Sequence, residues 1–382
     1  MRIDGITDND SYKIFISISL LILFLFTFRI DAMASDKESI VQEEEVVVEK
    51  LDAGSIIIEH LLNDYEWHVF TWKGKHFTVY LPVILLDKGN MYVFSSRRLS
   101  HDERYVLKDK KTGEDIVFSI PEEGKYKDKI VIIDENGEVR RPFDISITKN
   151  VLGLFVSCTL MVVLFLIVAK AYKKRGEKAP KGLQSLFEML ICFVRDDIAK
   201  KTIDEHHYEK YLPYLVTVFF FIFINNLLGL IPIFPFGANL TGNITVTIVL
   251  ALFTFIITNI FGNREYYKDI VNTPGVPWYL KLPVPLMPVI ELVGCFTKPF
   301  VLAVRLFANI TAGHIVVLGF ITIIFVLGEM SMYAGYAMSV VSLLLAIFVD
   351  CLELLVAFIQ AYVFTLLSAL YFGMSCKEEH KE

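Results

Sequence analysis

The sequence predicts an all-α integral membrane protein of about five membrane segments, ending in a long, steeply tilted helical hairpin and preceded by a small β-rich exported domain. Three observations predict it. Of 382 residues 54% are hydrophobic, and the mean hydropathy of +0.52 leaves too little polar surface for a soluble chain of this size. Apolar runs able to cross roughly 30 Å of hydrocarbon recur from Val151 onward. Residues 35–144 are instead polar and charged, with short alternating runs that read as strands.

The first element, residues 1–34, has the form of a signal peptide or N-terminal anchor. Lys13 precedes an apolar stretch from Ile14 to Phe28, and Ala32-Met33-Ala34 fits a small-residue cleavage site. The next segment, 35–144, is therefore expected outside the cytoplasm. In this exported domain "ESIVQEEEVVVEKL" reads as an acidic helical start, while "HFTVYLPVIL", "EDIVFSI" and "KIVIIDENGEVRRPFDI" read as strands and a hairpin. It carries no nucleophile, phosphate or metal motif. Glu59-His60 and Glu66-Trp67-His68 read as solvated faces rather than ligands.

The membrane domain occupies 145–382. Val151 to Ala169 is uncharged and crosses once; Lys170, Lys173, Lys174, Arg175, Lys178 and Lys181 come directly after it, so this crossing runs toward the cytoplasm. "GLQSLFEMLICFVRDDIAKK" is apolar on one side and fits a helix at the cytoplasmic interface. Leu215 to Gly262 holds no charge and breaks at "GLIPIFPFGANLTGN", which gives two crossings joined by an outside loop. "NTPGVPWYLKLPVP" then supplies Trp278, Tyr279 and Lys281 for a membrane boundary. Leu286 to Leu327 and Ala337 to Met374 complete the chain, each about 60 Å as a continuous helix. Such helices cannot stand upright in a bilayer, so a tilted hairpin is expected, with the ending "CKEEHKE" in the cytoplasm.

The five cysteines, Cys158, Cys192, Cys295, Cys351 and Cys376, lack CxxC spacing and lie in or beside apolar segments, so neither a metal site nor a disulfide framework is expected. The formal net charge of -6 gives no reason to expect nucleic acid as a partner. No P-loop is present, and no cofactor is expected.

A charge at membrane depth costs about 3 kcal/mol or more, so each is a functional candidate by default. Glu291, Lys298 and Arg305 recur every seven residues near one face of the first long helix, and Asp350 and Glu353 lie on the second, with His314 and Gln360 beside them. Arg305 and His314 are nine residues apart, on opposite faces and roughly 13 Å apart along the axis, so they cannot share one small site. His314 can face Glu353 across the hairpin, as a proton relay or as a structural ion pair. Around Arg305 the side chains are small, Ala303, Ala308, Ala312 and Gly313, and Asn309 shares its face one turn away.

At these residues the chain resembles subunit a of the F-type ATP synthases. The matching stretches are "PLMPVIELVGCFTKPFVLAVRLFANITAGH", "ELLVAFIQAYVFTLLSALY" and "NNLLGLIP", within residues 147–380. The resemblance implies a proton-translocating stator subunit of a bacterial cytoplasmic membrane, non-catalytic on its own, facing a ring of c subunits and held by the b subunits of a peripheral stalk. It makes Arg305 the rotor-facing arginine and Gln360 its neighbour. Glu291, His314, Glu353, Asn309 and Asn243 become residues of two proton access paths. Many bacterial members hold Glu and His where this chain has His314 and Glu353, an exchange that favours the relay over the ion pair. Thr241 and Gly242 stand where the family often carries an Asp, which shifts weight onto Glu291, Glu353 and His314. The alternative reading is a secondary ion transporter with an intramembrane charge relay, though no second copy of either long segment is visible.

Overall fold

A computed structural model of the chain describes residues 65–376 apart from 73–74, 100–104, 109–114, 122–125, 127–128, 134–136, 138, 176–178, 205, 232–236, 238–239 and 272–285. Residues 1–34, the acidic stretch 38–51, Glu59-His60, most of the turn at 232–239, the boundary segment with Trp278, Tyr279 and Lys281, and "KEEHKE" lie outside the described residues. The chain divides into two compact units, one of strands and one of helices.

In the first unit β1 (Glu66–Trp72) and β2 (Lys75–Tyr80) pair antiparallel, with a slip in register between His68 and Phe70. β3 (Pro82–Asp87) and β4 (Asn90–Ser95) form a tight hairpin. Its two-residue turn, Lys88-Gly89, has φ of 46° and 80°, the positive values that match a hairpin's twist. β5 (Tyr105–Lys108), β6 (Asp115–Ser119), β7 (Val131–Ile133) and β8 (Val139–Arg140) make a four-stranded antiparallel sheet, and β9 (Phe143–Asp144) closes the other edge of β3. Alternate residues face inward: Val83, Leu85, Tyr92 and Phe94 meet Ile116, Phe118 and Ile132 in one core. The Phe118 ring lies 5.2 Å from Phe94 and 5.5 Å from Tyr92. Tyr65 donates to the Asp144 carboxylate, and burial, then that charge, push its phenol well above the ordinary 10. The strands expected from sequence appear as β2, β3, β6 and the β7–β8 hairpin; β1, β4 and β5 are additional.

The second unit is helical: α1 (Lys149–Arg175), α2 (Leu183–Cys192), α3 (Tyr208–Gly229), α4 (Ile244–Ile260), α5 (Arg264–Val271), α6 (Leu286–Met330) and α7 (Met332–Cys376). Four spans among the described residues, Lys149–Lys174, Tyr208–Gly229, Val289–Gly328 and Gly335–Cys376, are long and apolar enough to cross a membrane. α4 has 17 residues, about 25 Å, and is apolar throughout except for its threonines and one asparagine. Asn243 caps it, accepting from the backbone of Thr245 at 2.9 Å and satisfying an otherwise unpaired N–H.

α2 runs on through a π-helical stretch (Phe193–Ala199) into a last turn (Lys200–Thr202), and its inward side is Gln184, Phe187, Leu190, Val194 and Ile198. Its outward charges hold one another: Arg195 and then Lys200 donate to Asp196 and keep that carboxyl far below its ordinary range. Phe187 stacks 5.0 Å from Phe220 of α3, and Tyr172 of α1 donates to Glu188 at 2.6 Å. Several polar groups inside the bundle are paired across helices, as an apolar surround favours. Tyr214, Thr254 and Ser368 link α3, α4 and α7 in one chain of 2.9 and 3.2 Å bonds. Asn226 donates to the Ala357 carbonyl at 3.2 Å and accepts from Thr241 at 2.7 Å.

α6 and α7 are each 45 residues, about 68 Å, and only Ser331 separates them. Their tip closes on two glycines: a Cβ on Gly335 would stand 2.8 Å from the Cα of Gly328. Both helices carry many exposed large apolar side chains, among them Phe300, Phe325, Leu344 and Phe348. That surface suits lipid or a partner's apolar face.

Candidate functional site

Because α6 and α7 run antiparallel, three facing pairs define their register: Gly328 with Gly335, Gly313 with Glu353, and Lys298 with Tyr371. Arg305 falls between the second and third, level with the turn that begins at Gln360. Leu302, Ala303 and Leu306 are buried on the inner side of α6, while Ala357, Ala361 and Phe364 are buried on α7. Arg305 lies on the outer stripe with Val301, Ala308, Asn309 and Ala312, all exposed. Apart from Arg305 and Asn309 this stripe is apolar or small, so a permanent cation projects from a smooth surface. Among the described residues Arg305 makes no hydrogen bond or ion pair, although its charge reaches Tyr371. Gln360 is only 7% exposed.

Toward the hairpin tip from Arg305 lies a cavity of about 140 Å³, lined by Asn226, Asn309, Gly313, His314, Glu353 and Ala357 among others. Its size admits several waters, and its polar groups give them partners. The Glu353 carboxyl rests on Gly313, where a Cβ would come 2.8 Å from its Cδ, and its Oε1 is buried without a hydrogen bond. His314 and Glu353 therefore share a cavity but make no hydrogen bond or ion pair with each other among the described residues. The charge that reaches both is Asp350, exposed on α7 one turn before Glu353.

Away from the tip lies a second, smaller space of about 20 Å³, room for one water, among Asn259, Tyr266, Cys295, Lys298 and Tyr371. Tyr266 Oη is 3.6 Å from Cys295 Sγ, and the thiol is 3.7 Å from Asn259 Oδ1. The Lys298 ammonium stands 6.0 Å from the centre of the Tyr371 ring. Glu291, one turn before Cys295, acts on Tyr266 by its charge. Arg305 lines neither cavity and lies between them along the hairpin.

Of the residues expected from sequence, Asn309, His314 and Glu353 are brought together. Glu291 sits beside the second space, Gln360 between the two, and Asn243 serves as the cap of α4 away from both linings. Asn226, Asn259, Tyr266 and Tyr371 join the two spaces without being candidates by sequence. Asn226 stands in "NNLLGLIP", where an asparagine pair inside an apolar run is itself a signal. Among the described residues no cluster of His, Cys, Asp and Glu could hold a metal ion.

Residues 152–373 match the family described as ATP synthase A chain, and residues 56–148 match a family described as a domain of unknown function. The chain is 47% identical over 252 residues to ATP synthase subunit a 2 of Chlorobaculum tepidum, covering 63% of this chain and 67% of that one. It is 42% identical over 296 residues to ATP synthase subunit a of Chlorobium phaeobacteroides, covering 74% and 81%. With ATP synthase subunit a of Myxococcus xanthus the identity is 42% over 244 residues, covering 62% and 75%. The Chlorobium match is longer than residues 152–382 alone could supply, so the likeness reaches into the N-terminal region.

Proposed function

The chain belongs to the ATP synthase A chain family, and from that membership we propose that it is the stator subunit that carries protons past the rotor ring of a rotary ATP synthase. It is a multi-pass membrane protein of the Fo sector and assembles with other Fo subunits. α1, α3, α4, α6 and α7 make five crossings, with α6 and α7 steeply tilted. The c-subunit ring runs against the stripe of Arg305, and the b subunits of the peripheral stalk hold the chain in place. Residues 35–144 lie on the outer side of a bacterial cytoplasmic membrane, and the C-terminus lies inside.

The observation that carries this reading is the placement of Arg305 on an exposed stripe between two cavities that each hold several polar side chains. A rotor carboxyl facing lipid must be neutral, because an isolated ion there is costly. Opposite Arg305 it can ionise, since a permanent cation at close range favours the charged form. The cavity with His314, Glu353 and Asn309 delivers protons from the outer side; the space with Cys295, Lys298, Tyr266 and Glu291 drains them inward. Arg305 bars a direct route between the two, so a proton crosses only by riding the ring, and the protonmotive force becomes torque. The chemistry of ATP takes place elsewhere in the complex. A secondary transporter would show unwound midplane segments, whereas α6 and α7 are continuous helices.

The test is Arg305→Ala in the assembled complex, read by ATP-driven proton pumping in inverted membrane vesicles. Pumping should vanish while complex assembly persists; normal pumping would sink the proposal.

A further inference from the structure

We infer that Asp350 is a working member of the outer proton path, the carboxylate that collects protons from the outer side and passes them to His314 and Glu353. This rests on the stator reading above and adds to it a residue and a direction.

Three observations carry it. The register that sets Gly313 against Glu353 places His314, one residue nearer the tip, level with the turn that holds Asp350. Asp350 lies one turn from Glu353 on the tip side, and its charge acts on both His314 and Glu353, although neither is its ion-pair partner among the described residues. Asp350 is also exposed. An ionised carboxylate at this depth is costly unless water or a cation reaches it, so its place is at a wet mouth rather than against lipid.

The neighbouring elements offer no substitute. α3 contributes Asn226 and Leu230 to the cavity, and the segment before α4 carries Thr241, Gly242 and Asn243, none of them ionisable. α6 contributes Asn309 and His314, α7 contributes Glu353, and Asp350 stands beside the lining, next in sequence to the lining residue Val349. Glu353 is partly walled off by Gly313 and holds a buried oxygen with no partner. A proton arriving from outside therefore meets Asp350 first, protonates it, and moves through cavity water to His314 or Glu353. Asp350 returns to its ionised form as the proton leaves, so the step is balanced and needs no other reactant.

The experiment uses the whole ATP synthase reconstituted in liposomes, with synthesis measured while the pH on the outer side is varied at constant total driving force. Asp350→Asn should lower synthesis several-fold at alkaline outer pH, where protons are scarce, and little at acid outer pH. Asp350→Glu should restore the profile. Wild-type rates and profile in Asp350→Asn would overturn the inference, as would an equal loss at every pH that Glu does not rescue. Should the Asn variant fail to assemble, Asp350→His carries the test, because its different titration range should move the outer pH of half-maximal synthesis; an unmoved midpoint overturns the inference. Arg305→Ala, run alongside, separates the two readings. If it abolishes coupled transport while Asp350→Asn changes nothing, only the inference about Asp350 falls.

Discussion

At the scale of the residue, the site depends on side chains that are missing as much as on those present. Gly313 is the clearest case, because the Glu353 carboxyl occupies the space a Cβ would need. Gly313→Ala should push Glu353 out of the outer cavity and lower coupled proton transport several-fold in membrane vesicles, at unchanged assembly. Gly319→Ala, where nothing lies within 4 Å, should leave transport intact. Equal behaviour of the two variants would count against a working position for Glu353. The candidates themselves are legible one at a time, since charges inside apolar runs are expensive and stand out. Which of them meet is legible only in part: His314 is expected to face Glu353 and shares a cavity with it, whereas Asp350 standing level with His314 depends on the register of two helices, which one sequence does not encode as a visible pattern. Asn226 escapes notice because its partners, the Ala357 carbonyl and Thr241, are distant in sequence or backbone atoms.

At the scale of the element, the long helices follow from composition. Nothing in Leu302 to Val326 or Val341 to Leu370 breaks a helix, both regions are helical throughout, and α6 also runs unbroken through Pro299. The π-helical stretch from Phe193 to Ala199 is invisible in sequence, because a change of turn width leaves no mark in a short amphipathic pattern. β1 and β4 are absent from the expected strands although "EWHVFTW" and "NMYVFS" alternate or are rich in strand formers. The hairpin of α6 and α7 rests on close backbone approach at its tip. Gly335→Ala places a methyl 2.8 Å from the Gly328 Cα, a contact only backbone movement can relieve. It should destabilise the hairpin by about 1–3 kcal/mol, seen as a lower thermal midpoint of the purified full-length chain in detergent. No change in midpoint would mean that the tip is looser than the structure describes.

At the scale of the whole molecule, the helical unit arranges two spaces of unequal size, each with several polar side chains, on either side of an exposed arginine. α6 and α7 are continuous helices, and Arg305 lies between the two spaces along them without lining either. In the proposed mechanism the two spaces open to opposite sides of the membrane. Nature has placed Cys295 in the smaller one, and Ile310→Cys puts a thiol in the larger. With Cys158, Cys192, Cys351 and Cys376 replaced by Ala, a membrane-impermeant thiol reagent is applied from one side at a time to oriented vesicles holding the complete complex. Cys295 should react only from the cytoplasmic side and the cysteine at position 310, in a Cys295→Ala background, only from the outer side. Labelling of both positions from the same side would contradict the proposed mechanism.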